Sequence, residues 1–174
     1  PWASNGCMVV SNPDFIDLKP YVSPERRTPV VIADRVEWIS PQQWQQQRKE
    51  LLQRFTRWLE DVESNRPERY LSHYSRRDFI GDGRDFKAFE GHKRWVNRNK
   101  QDIRIEYSNL AIYRYPGERD LVLMQYDQDY HSNILTVSSP KELFWRIEGD
   151  DWKIVQEGVR KLERPASIVA VERP

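Results

Sequence analysis

Near residue 101 the spacing of apolar residues changes from helical to alternating, and that change restricts the chain to helices followed by strands. Before it, Trp44, Arg48, Leu51, Leu52, Phe55, Leu59 and Val62 recur at the spacing of one helix face. Ser40 offers a side-chain oxygen to the first N–H groups. Pro41 suits the first helical position, where its missing N–H would be unpaired anyway. The spacing predicts a helix over 41–64, about 36 Å long at 1.5 Å per residue, stopped by Asn65-Arg66-Pro67. Pro67 starts a short second helix through Tyr70, Leu71 and Tyr74. Gly81-Asp82-Gly83 predicts a turn, and a third helix is expected over 84–100 with Phe86, Phe89, Trp95 and Val96 as its apolar positions.

After it, Ile103, Ile105 and Tyr107 alternate with Arg104 and Glu106, and Leu110, Ile112, Tyr113 and Tyr115 carry the strand past a bulge. Pro116-Gly117-Glu118-Arg119 is a turn. A long strand follows over 121–130. Val122, Met124, Tyr126 and Tyr130 lie on one side of it, and Leu121, Leu123, Gln125, Asp127 and Asp129 on the other. Residues 135–137 and 141–148 supply a third strand or a strand pair around Ser138-Ser139-Pro140, and Gly149-Asp150-Asp151 turns into a strand over 152–157. Three helices followed by an antiparallel meander read as α+β, with helices packed on one face of a curved sheet. Residues 1–39 hold only short apolar pieces: Met8-Val9-Val10, a helix over 14–22, and the β-branched run Thr28-Pro29-Val30-Val31-Ile32. They are too poor in apolar groups to form a core alone. The expected organisation is 1–39, 40–163 and an irregular tail over 164–174.

Composition excludes several function classes. Lys and Arg number 28 against 27 Asp and Glu, a net charge of +1, where a dedicated nucleic-acid binder is strongly basic. Residues 66–100 are net +5 and 101–163 net −4, and the basic helical stretch reads as a solvated charged face. Aromatic residues make up 12% of the chain, which is too rich for disorder. No apolar run approaches the roughly 20 residues that span a bilayer. One Cys excludes an internal disulfide and a Cys-cluster zinc site, and no metal or cofactor is expected. Pro1 stands where an initiator Met would, so the chain is expected to be internal to a longer polypeptide, with any export signal upstream.

Two resemblances fall in order along the chain. The helix–helix–helix–meander order, with Met124-Gln125-Tyr126, Tyr130-His131-Ser132, Lys141-Glu142-Leu143 and Trp152-Lys153-Ile154, resembles the nuclear-transport-factor-2-like (NTF2-like, or SnoaL-like) cone over residues 41–162. Ahead of it, Ser4-Asn5-Gly6-Cys7-Met8-Val9-Val10, followed by a helix and Thr28-Pro29-Val30-Val31-Ile32, resembles the Ser-x-Gly-Cys segment of YkuD-family L,D-transpeptidases. On its own, the short motif favours Cys7 as a small buried hydrophobe at the start of a strand.

The second resemblance implies a periplasmic enzyme acting on peptidoglycan stem peptides. A cysteine thiolate attacks the carbonyl before a D-residue, a thioester forms, and the D-residue leaves as its amine. A second amine or water then releases the acyl group. It assigns Cys7 as nucleophile, the backbone N–H groups of Gly6 and Cys7 as oxyanion donors, and Ser4 as a supporting polar group. The family's general-base His lies upstream of Pro1, Val9 stands where many members carry Arg, and His73, His92 and His131 read as surface or sheet-face residues. This chain alone is therefore expected to be inactive.

The first resemblance implies an accessory domain for dimerisation through the sheet, or for substrate positioning. Tyr107, Gln125, Asp127, Tyr130 and Trp145 are its candidate pocket residues, and Tyr126, Tyr130, Phe144 and Trp145 its candidate interface or ligand-stacking residues. Two alternatives stay open: a stand-alone binding module in which Cys7 is incidental, and a cone-pocket isomerase or dehydratase with Asp127 or Asp129 as base.

Overall fold

The signals at Ser40 and Pro41 hold in a computed structural model of the chain, which describes residues 9–22, 30–33 and 35–160. The chain divides into two units, residues 1–34 and 35–174. In the first, α1 spans Asn12–Leu18, with the Ser11 side chain accepting from the Asp14 N–H at 3.3 Å. The helix expected over 14–22 is thus shorter and starts earlier, because Ser11 and Pro13 supply a cap and a first turn. Val9-Val10 and Val30-Val31-Ile32 form no strand. Met8, Thr28 and Pro29, which complete those runs, lie outside the described residues.

In the second unit, α2 spans Pro41–Glu63 and begins with a reciprocal cap. The Gln43 N–H donates to the Ser40 hydroxyl at 3.2 Å, and the Ser40 N–H donates to Gln43 Oε1 at 3.0 Å. Its apolar stripe buries Leu51, Phe55, Trp58 and Leu59. Next comes α3 (Pro67–Leu71), which buries Tyr70 and Leu71.

The chain then departs from the sequence expectation. Asp82 and Gly83 both take left-handed φ, 49° and 73°, and turn a small hairpin of β1 (Ile80–Gly81) against β2 (Arg84–Asp85). The third helix, α4, therefore spans Phe86–Arg98 and not 84–100. Asp85 is its cap, accepting the Ala88 N–H at 2.8 Å.

Four long strands complete the chain: β3 (Arg104–Arg114), β4 (Leu121–His131), β5 (Thr136–Glu148) and β6 (Asp151–Val159). The sheet order is β2-β1-β6-β5-β4-β3, antiparallel except where β1 pairs with β6. The bulge in β3 lies between Ser108 and Ala111, with Asn109 at φ 54°. Residues 136–148 form one strand that runs through Pro140. The ring is tolerated because the Pro140 carbonyl, which accepts from the Arg160 N–H at 3.0 Å, lies where β6 ends. The missing donor therefore faces no continuing ladder.

One core joins α2, α3, α4 and the inner sheet face, with Phe55, Val122, Met124, Leu143 and Ile154 fully buried. Phe55 packs edge-on to Tyr107 at 5.1 Å and Tyr126 at 5.0 Å between ring centroids. Helices on one face of a sheet are the α+β arrangement read from the change of period. The parallel β1–β6 pair makes the sheet mixed.

Candidate functional site

The alternation of β4 decides which side chains meet the helices. Val122, Met124, Tyr126, Gln128 and Tyr130 face inward and are buried. Where α2, α3 and α4 stand off the sheet, they leave a cavity of about 190 Å³. Trp58, Tyr70 and Tyr74 line one part of it. Val62, Val96, Ile103, Ile105, Leu135 and Val137 form apolar walls, and Asn97, Gln128, Tyr130 and Ser139 add polar groups. Lys93, Lys100, Lys141 and Glu157 are its charged lining residues.

A chain of hydrogen bonds joins three of these lining residues. Trp58 Nε1 donates to the Tyr74 hydroxyl at 3.2 Å, and that hydroxyl donates to Glu157 Oε2 at 2.5 Å. Lys93 Nζ lies 3.7 Å from Glu157 Oε1 and 4.9 Å from the Phe89 ring centroid. Burial pushes the Glu157 carboxyl up. The Lys93 ammonium, the Tyr74 hydroxyl and the Lys141 ammonium pull it down, and the balance falls below the ordinary glutamate value. Burial and the Glu157 charge hold the Tyr74 hydroxyl well above the ordinary tyrosine range. The Tyr70 hydroxyl is also pushed far up, first by burial and then by Glu157, and has no hydrogen-bond partner among the described residues. Lys100 Nζ sits 4.4 Å from the Tyr130 ring centroid.

The sequence candidates scatter. Tyr130 lines the cavity. Tyr107 stands on the inner face, 43% exposed against Phe55. Trp145 is 1% exposed in the core. Gln125 and Asp127 do not line the cavity, because the alternation that turns Tyr126 and Gln128 inward turns them to the opposite face. There Asp127 accepts from Asn109 Nδ2 at 2.8 Å and pairs with Arg160 at 3.3 Å. Asp129, on that same side, is bound by the Ser138 hydroxyl.

Tyr126, Tyr130 and Trp145 are likewise unsuited to an exposed interface, being 1%, 9% and 1% exposed. Phe144 does turn outward, 5.9 Å from the Tyr115 ring centroid. His73 is neither on the surface nor on the sheet face: it packs half-buried with Nε2 2.8 Å from Asp61 Oδ2. Ser4, Gly6 and Cys7 lie outside the described residues.

Sequence reasoning missed Lys93, Lys141, Gln128 and Glu157, and placed Lys100 in the basic stretch read as a solvated charged face. Each stands on a different element or strand position, and their convergence depends on the sheet order. The available signal was one of side: the face of β4 carrying Tyr126 and Tyr130 also carries Gln128.

A cavity closed between three helices and one face of an antiparallel-rich sheet defines the NTF2-like class of fold. Residues 50–158 match the Cds6 C-terminal NTF2-like domain, and the chain belongs to that family. No curated protein sequence matches it.

Among solved structures, the chain is similar to Bd1075 of Bdellovibrio bacteriovorus, at 25% identity and a TM-score of 0.76 over 91% of this chain and 57% of that one. It is also similar to a variant of the helical cell shape determining protein Pgp2 of Campylobacter jejuni, at 25% identity and a TM-score of 0.54, over 59% of this chain and 37% of that one. An NTF2-like protein from Pseudomonas putida, at 15% identity and a TM-score of 0.55 over 64% of this chain and 83% of that one, shares the fold. The chain thus spans 57% of the first relative and 37% of the second.

Proposed function

We propose that residues 40–163 act as a ligand-binding module and not as an acid–base catalyst. The observation that carries this reading is the state of Glu157, the one carboxylate lining the cavity among the described residues. A general base at neutral pH works best with its pKa raised toward the working pH. Glu157 is held the other way, by Lys93 and by a donated Tyr74 proton. The isomerase reading loses its bases as well, since Asp127 and Asp129 face away from the cavity, occupied by Arg160, Asn109 and Ser138. What remains is a partly open cavity with apolar walls and several polar and charged groups, a make-up suited to binding a ligand.

The test is an amide NMR titration of the 174-residue chain with a set of small organic molecules, repeated on Val137→Trp, which fills the cavity. The expected result is shifts centred on Gln128, Val137 and Ser139 that vanish in the filled variant. Shifts confined to other surfaces, or unchanged by filling, would overturn the reading.

A second reading concerns the longer protein. The similarity to Bd1075 extends over 91% of this chain, beyond the 50–158 family match, and Pgp2 carries a cell-shape name. The reading of a cell-envelope parent of the L,D-transpeptidase kind, working on peptidoglycan stem peptides in the periplasm, rests on the resemblance carried by Ser4, Gly6 and Cys7 ahead of the module. Its module would position the substrate, or pair two copies through the sheet. The longer gene product should remove the terminal D-residue from a tetrapeptide and lose that activity with Cys7→Ala. Activity that survives Cys7→Ala would refute it.

A further inference from the structure

We propose that the cavity takes a small organic anion, its charged group held by Lys93, Lys100 and Lys141 and its apolar body against the strand side chains. This inference rests on the binding-module reading above and names the chemistry of its ligand. Among the described residues, three lysines line the space against a single carboxylate. That carboxylate is already engaged by Lys93 and Tyr74. Lys100 and Lys141 have no ion-pair partner among the described residues, and Lys100 rests on the Tyr130 ring.

Two uncharged donors point to the same chemistry. Tyr70 lines the cavity on a side chain only 3% exposed, and its buried hydroxyl has no hydrogen-bond partner among the described residues. Gln128, 9% exposed, lines it too, and its amide makes no hydrogen bond among the described residues. Buried polar groups are normally satisfied, and each one left alone costs stability. A ligand oxyanion would accept from Tyr70 and Gln128 and balance the lysine charge together. A neutral ligand would satisfy the donors but not the charge, and a cation would meet three like charges. The volume, about 190 Å³, is below the several hundred Å³ of typical drug-sized sites, so the ligand is small. Val62, Ile103, Ile105 and Val137 give its body an apolar seat.

The test is calorimetric and amide NMR titration of the 174-residue chain at pH 7 with benzoate, phenyl phosphate and their neutral counterpart benzamide. At least one anion should bind tenfold or more tighter than benzamide, with shifts at Gln128 and Ser139. Whichever anion binds tighter identifies a carboxylate or a phosphate headgroup. Lys141→Gln, and separately Lys100→Gln, should weaken that anion at least threefold more than they weaken benzamide. Benzamide binding in the cavity as tightly as both anions would overturn the anion assignment while leaving the module reading intact. No cavity shift with any of the three would overturn both.

Discussion

Replacing Tyr74 with Phe removes one oxygen and little else. The ring keeps its contacts with Phe79 at 5.2 Å, Phe89 at 5.1 Å and Tyr70 at 5.8 Å between centroids. What goes is the hydroxyl that accepts from Trp58 Nε1 and donates to Glu157. Trp58, 3% exposed, is left with a buried indole N–H and no acceptor. A buried group stranded in this way costs about 1–3 kcal/mol, and a lost bond to a charged group about 1.5–3 kcal/mol. Because Glu157 keeps Lys93, we take the lower half of each range and expect Tyr74→Phe to destabilise by about 2–4 kcal/mol.

The assay is urea unfolding followed by far-ultraviolet circular dichroism, with Trp58→Phe and the double variant completing a cycle. A non-additive coupling near 1 kcal/mol should appear between Trp58 and Tyr74. The substitution also carries a pH signature. Glu157 has a depressed folded-state pKa, so its contribution is present above the unfolded value and is lost as pH falls through the folded one. Without the Tyr74 bond the folded value rises, and the variant should lose less of its remaining stability on acidification. A change within 0.5 kcal/mol (~experimental scatter of surface substitutions), with an unaltered acid limb, would refute the relay.

Further outcomes follow from other groups. Burial is the largest influence that raises Tyr70, Tyr74 and Tyr126 far above their ordinary range. Their contribution is therefore whole below the unfolded tyrosine value and is lost as pH rises past it; alkaline melting should show cooperative unfolding above about pH 10, and retained folding well beyond that would be contrary. Asn109 holds φ 54° in the β3 bulge and donates to Asp127, so Asn109→Val should cost about 1–3 kcal/mol by chemical denaturation, and Asn109→Gly clearly less. A Cβ on Gly81 would meet Phe79 Cζ at 2.5 Å, so Gly81→Ala should lower the melting temperature, and Phe79→Leu in the same chain should recover part of the loss. If two copies pair through the outer sheet face, Phe144→Glu should convert a dimer to a monomer in light scattering. A dimer that survives it uses another surface.

Local signals were the legible ones. The Ser40–Pro41 cap and the stripe from Leu51 to Leu59 appear as α2. The bulge between Tyr107 and Ile112 lies where the alternation breaks. The hairpin of β1 and β2 was not legible, since two-residue strands carry no period. Nor was the parallel pairing of β1 with β6, which joins Ile80 to Gln156 across most of the domain. Pro140 suggested a break in β5 because the sequence does not tell where the neighbouring strand stops. The site suffered most from the same cause. Alternation separated Tyr126 and Tyr130 from Gln125 and Asp127 but did not say which side met the helices, so both sides entered the candidate set. Lys93, Lys141 and Glu157 meet only after α4, β5 and β6 are assembled.

The most direct check is on the carboxylate that lines the cavity. A carbon-13 NMR titration of Glu157, assigned by its loss in Glu157→Gln, should give a pKa below the ordinary glutamate value of 4.5. A value raised toward neutrality would make Glu157 a poised base, contradicting the binding-module account and favouring acid–base chemistry in the cone.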